Sequence, residues 1–361
     1  MAARDPPEPE SDSFPELVAD MAVRRAAPPG FMHLGVAKEI YTVLGELGCD
    51  PEQVIESADL DPRLFAHGDN LIPVSALGRL LVLCVERTNC PHFGLLVGQK
   101  STLRSLRAVG MLMRSCDTFG DAVRGMNAHL RVQNRGAVTQ LEVEGDVAVF
   151  SYSLYDPSGM GAIQLLDGAL ATAVGVFREL CGPEFVPTEI LIPRRPPAAA
   201  IVHSSFFRAP VRFNQESAAV VFPAAWLKHP LAGANPVMRR ALELQIVGCE
   251  DACAPDLKDE LRRLLRAELV KARRSASDIA GQLSIHRRTL NRHLKAEGTG
   301  FKTVADEVRF GIARQLLGDT DLPLVEIAAA LDFSEPAAFT RAFHRWSGAT
   351  PSSWRADMKS S

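Results

Sequence analysis

The sequence predicts an α+β domain followed by an all-α domain of two helix-turn-helix units joined by a long helix. Three observations carry that prediction. At 361 residues the chain is longer than one hydrophobic core usually serves, so two domains are expected. The apolar period shifts from three-to-four residues to alternation near residue 131, then is helical throughout beyond residue 257. Positive charge is also local: residues 261–302 hold 11 Lys and Arg against 3 Asp and Glu, in a chain of net charge −3.

In order along the chain, the first 28 residues are rich in Pro, Ala and charge and lack the apolar core of a signal peptide. They read as a disordered tail on a cytoplasmic protein. Residues 29–247 make up the α+β domain. Its opening stretch, FMHLGVAKEIYTVLGELG from Phe31, reads as helix, as do PVSALGRLLVLCVERT and GDAVRGMNAHL. LRVQNRGAVTQLEVEGDVAVFSYSLYD alternates on either side of Glu144-Gly145-Asp146, the pattern of a β-hairpin. Val149, Phe150, Tyr152 and Tyr155 in that hairpin face either a pocket or a core. MGAIQLLDGALATAVGVFREL is a helix stopped by Gly182-Pro183, and short strands are expected around TEILIP, VRFN and AAVVFP. A further helix runs from Pro236 to Val247. The small, acidic and Pro residues of 248–256 mark a linker.

Composition narrows the function classes. Hydrophobic residues are 47% and charged residues 23% of the chain, as in ordinary globular domains. No apolar run approaches the roughly 18 residues that cross a bilayer, so no membrane association is expected. The seven cysteines include no C-x-x-C pair, and His129, His203 and His229 lie far apart. Neither a metal site nor a cofactor is therefore expected. Charge divides between the two parts: residues 256–361 carry 18 Lys and Arg against 14 Asp and Glu, and residues 1–255 carry 22 against 29. A nucleic-acid surface needs its positive charge concentrated in this way, although a solvated helix face shows the same excess.

Residues 257–361 supply the sharper signal. LKDELRRLLRAELV is amphipathic, with Leu261, Leu264, Leu265 and Leu269 on one face. Ser275-Ala276-Ser277-Asp278 is a capping box opening a short helix to Leu283. The break Ser284-Ile285-His286 leads into a basic helix closed by Gly298 as a left-handed cap. Ala280, Leu283, Ile285, Leu290 and Leu294 hold the two helices together, and Arg287, Arg288, Asn291, Arg292 and Lys295 face away. Arg bonds guanine bidentately and Asn does the same to adenine, so this face carries the chemistry that reads double-stranded DNA. The layout then recurs. FKTVADEVRFGIARQLL ends at Gly318, PLVEIAAAL is a second short helix, and Asp332-Phe333-Ser334 is a second turn with Ser334 as N-cap. EPAAFTRAFHRW is the second longer helix, with Phe339, Phe343 and Trp346 facing its core. Thr350-Pro351 opens the last helix.

These strings resemble the DNA-binding domain of AraC/XylS-type transcription regulators. The resemblance rests on DIAGQLSIHRRTLNRHLKAEGTGF and, more specifically, on EIAAALDFSEPAAFTRAFHRWSGATPSSWR. Upstream, PHFGLLVGQ, MLMRSCDTFGDAVRGM and RAPVRFNQESAAVVFPAAWLKHPLAGANP are similar to the arabinose-binding-like sensor domain of one branch of that family. Together they span nearly all of residues 31–358. The resemblance implies a sensor or dimerisation domain over 29–247 and a DNA-binding domain over 257–361. It implies base contacts from Arg288, Asn291 and Arg292, and matching positions at Pro336, Ala337, Thr340 and Arg341. Ser334 and Arg345 complete the expected DNA-binding set. Pro and Ala offer no donor, so the second unit is expected to contact phosphates and apolar edges more than to read bases. The implied activity is that of a ligand-responsive activator, with DNA, RNA polymerase, a small-molecule effector and a second copy of the chain as candidate partners.

Two departures are visible: His286 stands at the usual Ser N-cap and Asp332 at the usual Gly of the second turn, where Asp tolerates positive φ. An enzyme is the natural rival, because some DNA-repair alkyltransferases carry a similar DNA-binding domain. Cys90-Pro91-His92 lacks the order of their Pro-Cys-His-Arg nucleophile motif, so no catalytic residue is expected. A purely architectural DNA-binding protein would not need the large N-terminal domain.

Overall fold

The computed structural model describes residues 26–251, 260–262, 264–265 and 287–360. The tail expected over 1–28 lies outside them as far as residue 25. Ala26 and Ala27 are already buried, and the Ala27 N–H donates to the Val132 carbonyl at 2.9 Å.

The opening stretch corrects the helix expected from Phe31. β1 (Phe31–His33) pairs antiparallel with β2 (Leu71–Pro73), and helix starts only after Gly35. A Cβ on Gly35 would sit 2.2 Å from the Ser105 carbonyl oxygen, so the chain there is pressed against a neighbour before it can coil. α1 (Glu39–Glu46), α2 (Pro51–Glu56), α3 (Val74–Thr88) and α4 (Phe93–Gln99) bury Ile40, Leu44, Leu80 and Phe93 against one another. α5 (Arg107–Ser115) and α6 (Phe119–Gln133) follow, and the Thr118 hydroxyl caps α6 by accepting the Asp121 N–H at 3.1 Å.

The hairpin lies where the alternation put it. β3 (Ala137–Glu144) and β4 (Val147–Leu154) are joined by Gly145-Asp146, with Gly145 at φ +60°. α7 (Ala162–Cys181) crosses behind, followed by β5 (Glu189–Leu191), α8 (Ile201–Phe207), β6 (Val211–Arg212) and β7 (Ala218–Pro223). The sheet order is β3-β4-β7-β5-β6, antiparallel except for β5 with β6. Phe119, Phe150, Phe177, Phe185 and Phe222 meet edge to face between sheet and helices. α4 lies on α7 backbone to backbone: a Cβ on Gly98 would come within 2.3 Å of the Gly168 carbonyl oxygen.

α9 (Pro236–Asp251) continues through Gly248 and Cys249, four residues into the stretch expected as linker. Leu242 and Ile246 anchor it on Ala108, Leu112 and Val132, and the Glu250 carboxylate pairs with Arg131 at 3.0 Å. These contacts hold the helix past its glycine.

The all-α domain contains α10 (Arg287–Ala296), α11 (Phe301–Asp319), α12 (Leu324–Ala330), α13 (Pro336–Ser347) and α14 (Pro351–Ser360). Two small cores share α11. Val304, Ala305 and Val308 pack with Leu261, Leu264, Leu265, Leu290 and Leu294, whereas Ala313, Leu316 and Leu317 pack with Ile327, Leu331, Phe339 and Phe343.

The domains meet at the C-terminal end of α11. Arg194 is buried against the fully buried Asp167, 3.1 Å away, and His203 lies 3.0 Å from the same carboxylate. Its neighbour Arg195 reaches the other way. Its guanidinium donates to the carbonyls of Gly318 (2.6 Å) and Thr320 (2.9 Å) and to the Asp321 carboxylate (2.9 Å). The Arg195 N–H donates to the Asp319 carbonyl at 2.6 Å, and the Asp321 N–H donates to Asn214 Oδ1 at 3.0 Å. The last carbonyls of a helix have no partner within it, and its C-terminus is electronegative, so an arginine suits this place twice over. Burial here pushes the Asp319 carboxyl up to about 6, against the pull of Arg195 and Arg194. A raised carboxyl pKa means the folded chain holds its proton more tightly, so stability falls as pH rises from about 4 to about 6. Asp319→Asn should therefore stabilise the full-length protein at pH 7 by at most about 3 kcal/mol. That gain should shrink toward zero as pH falls through the same interval, as read by denaturant melts at stepped pH.

Candidate nucleic-acid interface

Each helix-turn-helix unit has to hold a polar helix face outward. In the first unit the expected short helix from Ser275 and the turn Ser284-Ile285-His286 lie outside the described residues, as does the Arg287 side chain. α10 itself is amphipathic: Leu290 and Leu294 are fully buried, while Arg288, Asn291, Arg292 and Lys295 are exposed. Those four stand at i, i+3, i+4 and i+7, one face of a helix. Gly298 takes φ +72° and the Thr299 N–H returns to the Leu294 carbonyl at 2.9 Å, the left-handed closure expected from sequence.

The second unit is described completely. Asp332 adopts φ +60°, and the Phe333 N–H turns back to the Ala328 carbonyl at 2.9 Å to close α12. Phe333 then stacks on Phe339, with centroids 5.7 Å apart, and Arg309 of α11 donates to the Leu331 carbonyl at 3.3 Å. The Asp at this turn therefore does what the usual Gly would. Ser334 is not the N-cap; the extended Glu335 holds that position without a side-chain hydrogen bond, and Pro336 opens the helix. The reason is local: a proline at the first helical position has no N–H to satisfy and is already set at helical φ.

On α13 the expected residues Ala337, Thr340 and Arg341 share one face, with Ser334 just before it. Ser334 and Ala337 are exposed. The Thr340 hydroxyl donates to the Pro336 carbonyl at 3.0 Å, Arg341 pairs with Glu335 at 3.2 Å, and Arg345 lies 3.5 Å from Asp306 and over the Trp346 ring. All three ionic groups of those pairs on α13 and its cap are well exposed, so water screens them and they can exchange a carboxylate for a phosphate at small cost. The second face thus offers two arginines and an apolar edge.

The sequence did not single out Arg195 or Asn214, which join the N-terminal domain to α11. Arg194-Arg195 before Pro196-Pro197 has no periodicity, and only the pairing across more than a hundred residues reveals its role. Cys90 is buried and burial raises its thiol pKa, the opposite of what an attacking thiolate needs.

A helical reader carrying two outward polar helix faces, attached to a separate α+β domain, defines a DNA-binding transcription regulator. Residues 48–231 match the family described as the arabinose-binding domain of AraC transcription regulator, N-term, and residues 279–357 match a helix-turn-helix domain. The chain belongs to the AraC family of transcription regulators. It is 26% identical over 323 residues to the ornithine utilization regulator of Pseudomonas aeruginosa, covering 88% of this chain and 94% of that protein. It is 25% identical over 320 residues to the HTH-type transcriptional regulator VirS of Mycobacterium tuberculosis, again covering 88% and 94%. Among solved structures, transcriptional regulator CdpR from Pseudomonas aeruginosa aligns at 23% identity with a TM-score of 0.45, covering 89% of this chain and 97% of that one.

The second face depends on its core. Phe343 is fully buried and meets Phe310 at 5.5 Å, Phe339 at 5.8 Å and Trp354 at 5.7 Å. Phe343→Ala should cost about 3–5 kcal/mol of stability. Hydrogen exchange should locate that loss in α12 to α14; an unchanged exchange pattern there would mean the ring does not hold the unit together.

Proposed function

We propose that this chain is a cytoplasmic, ligand-responsive activator that reads two successive major grooves through α10 and α13. The observation that carries the reading is the mounting of both polar faces on one helix, α11, whose far end the N-terminal domain grips through Arg195. Arg288, Asn291 and Arg292 read bases from the first unit, with Arg287 and Lys295 on the adjoining phosphates. Ser334, Ala337, Thr340, Arg341 and Arg345 seat the second unit on the backbone. The N-terminal domain senses an effector, pairs with a second copy and passes its state to the reader through the contact at α11. RNA polymerase is the partner on which an activator so placed acts.

Footprinting and a salt titration of the full-length protein on its operator test this together. Two protected patches about 34 Å apart on one face of the duplex are expected, repeated where two copies pair. With about six phosphates neutralised, log K should fall with log salt at a slope near −5. Arg292→Ala should weaken operator binding by about 1–3 kcal/mol and relax selectivity at one base pair. A footprint confined to one groove would rule out the two-unit reading, and equal weakening on operator and random DNA would rule out base readout by Arg292.

A further inference from the structure

A second feature of the N-terminal domain bears on what it senses. Between the helical cluster and the sheet lies a cavity of about 120 Å³, walled by β1, α1, α3, α4, α6, β3, β4 and α7. Among the described residues, none lining it is charged. Its surface is aliphatic and aromatic, with Phe150, Met126 and Val176 among the walls. Its polar groups divide into two kinds. Asn134 and Gln164 are spent: Asn134 Nδ2 donates to the Tyr152 hydroxyl at 3.1 Å and its Oδ1 accepts the Gly136 N–H at 2.8 Å. Gln164 accepts the Gly94 N–H at 2.7 Å and donates to the Pro91 carbonyl at 2.9 Å. Thr139 Oγ1, Thr172 Oγ1 and Gln133 Oε1, by contrast, are buried with no hydrogen-bond partner among the described residues, although Gln133 Nε2 donates to the Ser105 carbonyl at 3.2 Å.

Those two hydroxyls are unusual. A threonine on a helix commonly bonds the carbonyl one turn back, and a buried hydroxyl left unmatched is costly. They come from opposite walls, Thr172 from α7 and Thr139 from β3, where it stands directly across from Tyr152. Tyr152 accepts from Asn134 and keeps its own proton, since burial pushes its phenol up to about 12.

We infer that this cavity is a binding site for a small, neutral, mostly apolar ring bearing one or two hydroxyl or carbonyl groups, such as a phenol or cyclic alcohol. The volume supports a ring: an apolar cavity of about 150 Å³ takes benzene. The lining excludes other classes. An amino acid or a carboxylate would bury a charge with no counter-charge, and a pentose would bury more hydroxyls than the walls can match. The family description of an arabinose-binding domain therefore does not fix this chain's ligand, nor does the ornithine in the name of one relative. Tyr152 also lines the crevice between the domains, beside Gln315 and Ala329, so the same residue borders both spaces. The inference rests on reading the N-terminal domain as a sensor.

The test is ligand-observed NMR on the full-length protein with phenol, toluene, benzoate, L-arabinose and L-ornithine. Phenol should bind saturably, and benzoate, arabinose and ornithine should not bind. Thr139→Val and Thr172→Val keep shape and remove only the hydroxyl; each should weaken phenol about three- to tenfold while leaving toluene unchanged. Ala173→Leu, which fills the cavity, should abolish both. Absence of phenol binding, phenol binding indifferent to all three variants, or arabinose, ornithine or benzoate lost with Ala173→Leu would each overturn the inference. Operator affinity measured on the same samples separates the two readings. Intact DNA binding without phenol binding removes the ligand class alone, whereas intact phenol binding without DNA binding removes the regulator reading.

Discussion

Everything in the reader depends on α11 being one unbroken helix. Among the described residues the first core comprises eight buried residues and the second nine, and both draw on this helix. Residues of α11 enter both, Val304, Ala305 and Val308 at one end and Ala313, Leu316 and Leu317 at the other, with Ile312 packed against each. The apolar stripe that stabilises the two units therefore also fixes the distance and angle between α10 and α13. Spacing of the two polar faces is a consequence of core packing rather than a separate feature of the surface.

The same helix is where the N-terminal domain takes hold. Arg194 and Arg195 are adjacent in the chain and point into different domains, one paired with the buried Asp167, the other bonded to the final carbonyls of α11. Asp167 sits on α7, one residue before Gly168, which lines the sensor cavity. A shift of α7 when the cavity fills would thus bear directly on the residue beside the clamp. The raised Asp319 carboxyl shows the cost of this arrangement, a partly desolvated charge kept next to two arginines. The contact is a compromise between capping a helix and burying an acid.

Much of this was legible in the sequence where the period is long. α7, the β3–β4 hairpin and α11 to α14 each repeat their pattern over enough residues to identify them, and Gly298, Asp332 and Gly348 mark helix ends by their left-handed backbones. β1 and β2 were not legible, because three residues carry barely one alternation, and FMH runs straight into a helical pattern. The break at Gly248 misled because local propensity there is overridden by Ile246 and Glu250 packing on the first domain. For the candidate site, the outward face of α10 followed from spacing, whereas the positions on α13 came from the family resemblance. The N-cap followed from neither: Ser334 has the right chemistry, but the chain spends its left-handed residue at Asp332 and enters the helix at Pro336. Arg195, Thr139 and Thr172 carry no local signal, since their significance lies in what is or is not across from them.

If the N-terminal domain passes its state to the reader through the Arg195 contact at the end of α11, that contact restrains the reader in the absence of ligand. Operator affinity of full-length Arg195→Ala, compared with wild type without added ligand, tests it most directly. Arg195 lies at the domain junction and not on the outward face of α10 or α13, so removing it should leave the salt slope unchanged. Release of the restraint should tighten operator binding at least about fivefold, the low end of ordinary allosteric coupling. Equal affinity in the two proteins, with both folded and equally sensitive to salt, would contradict the claim.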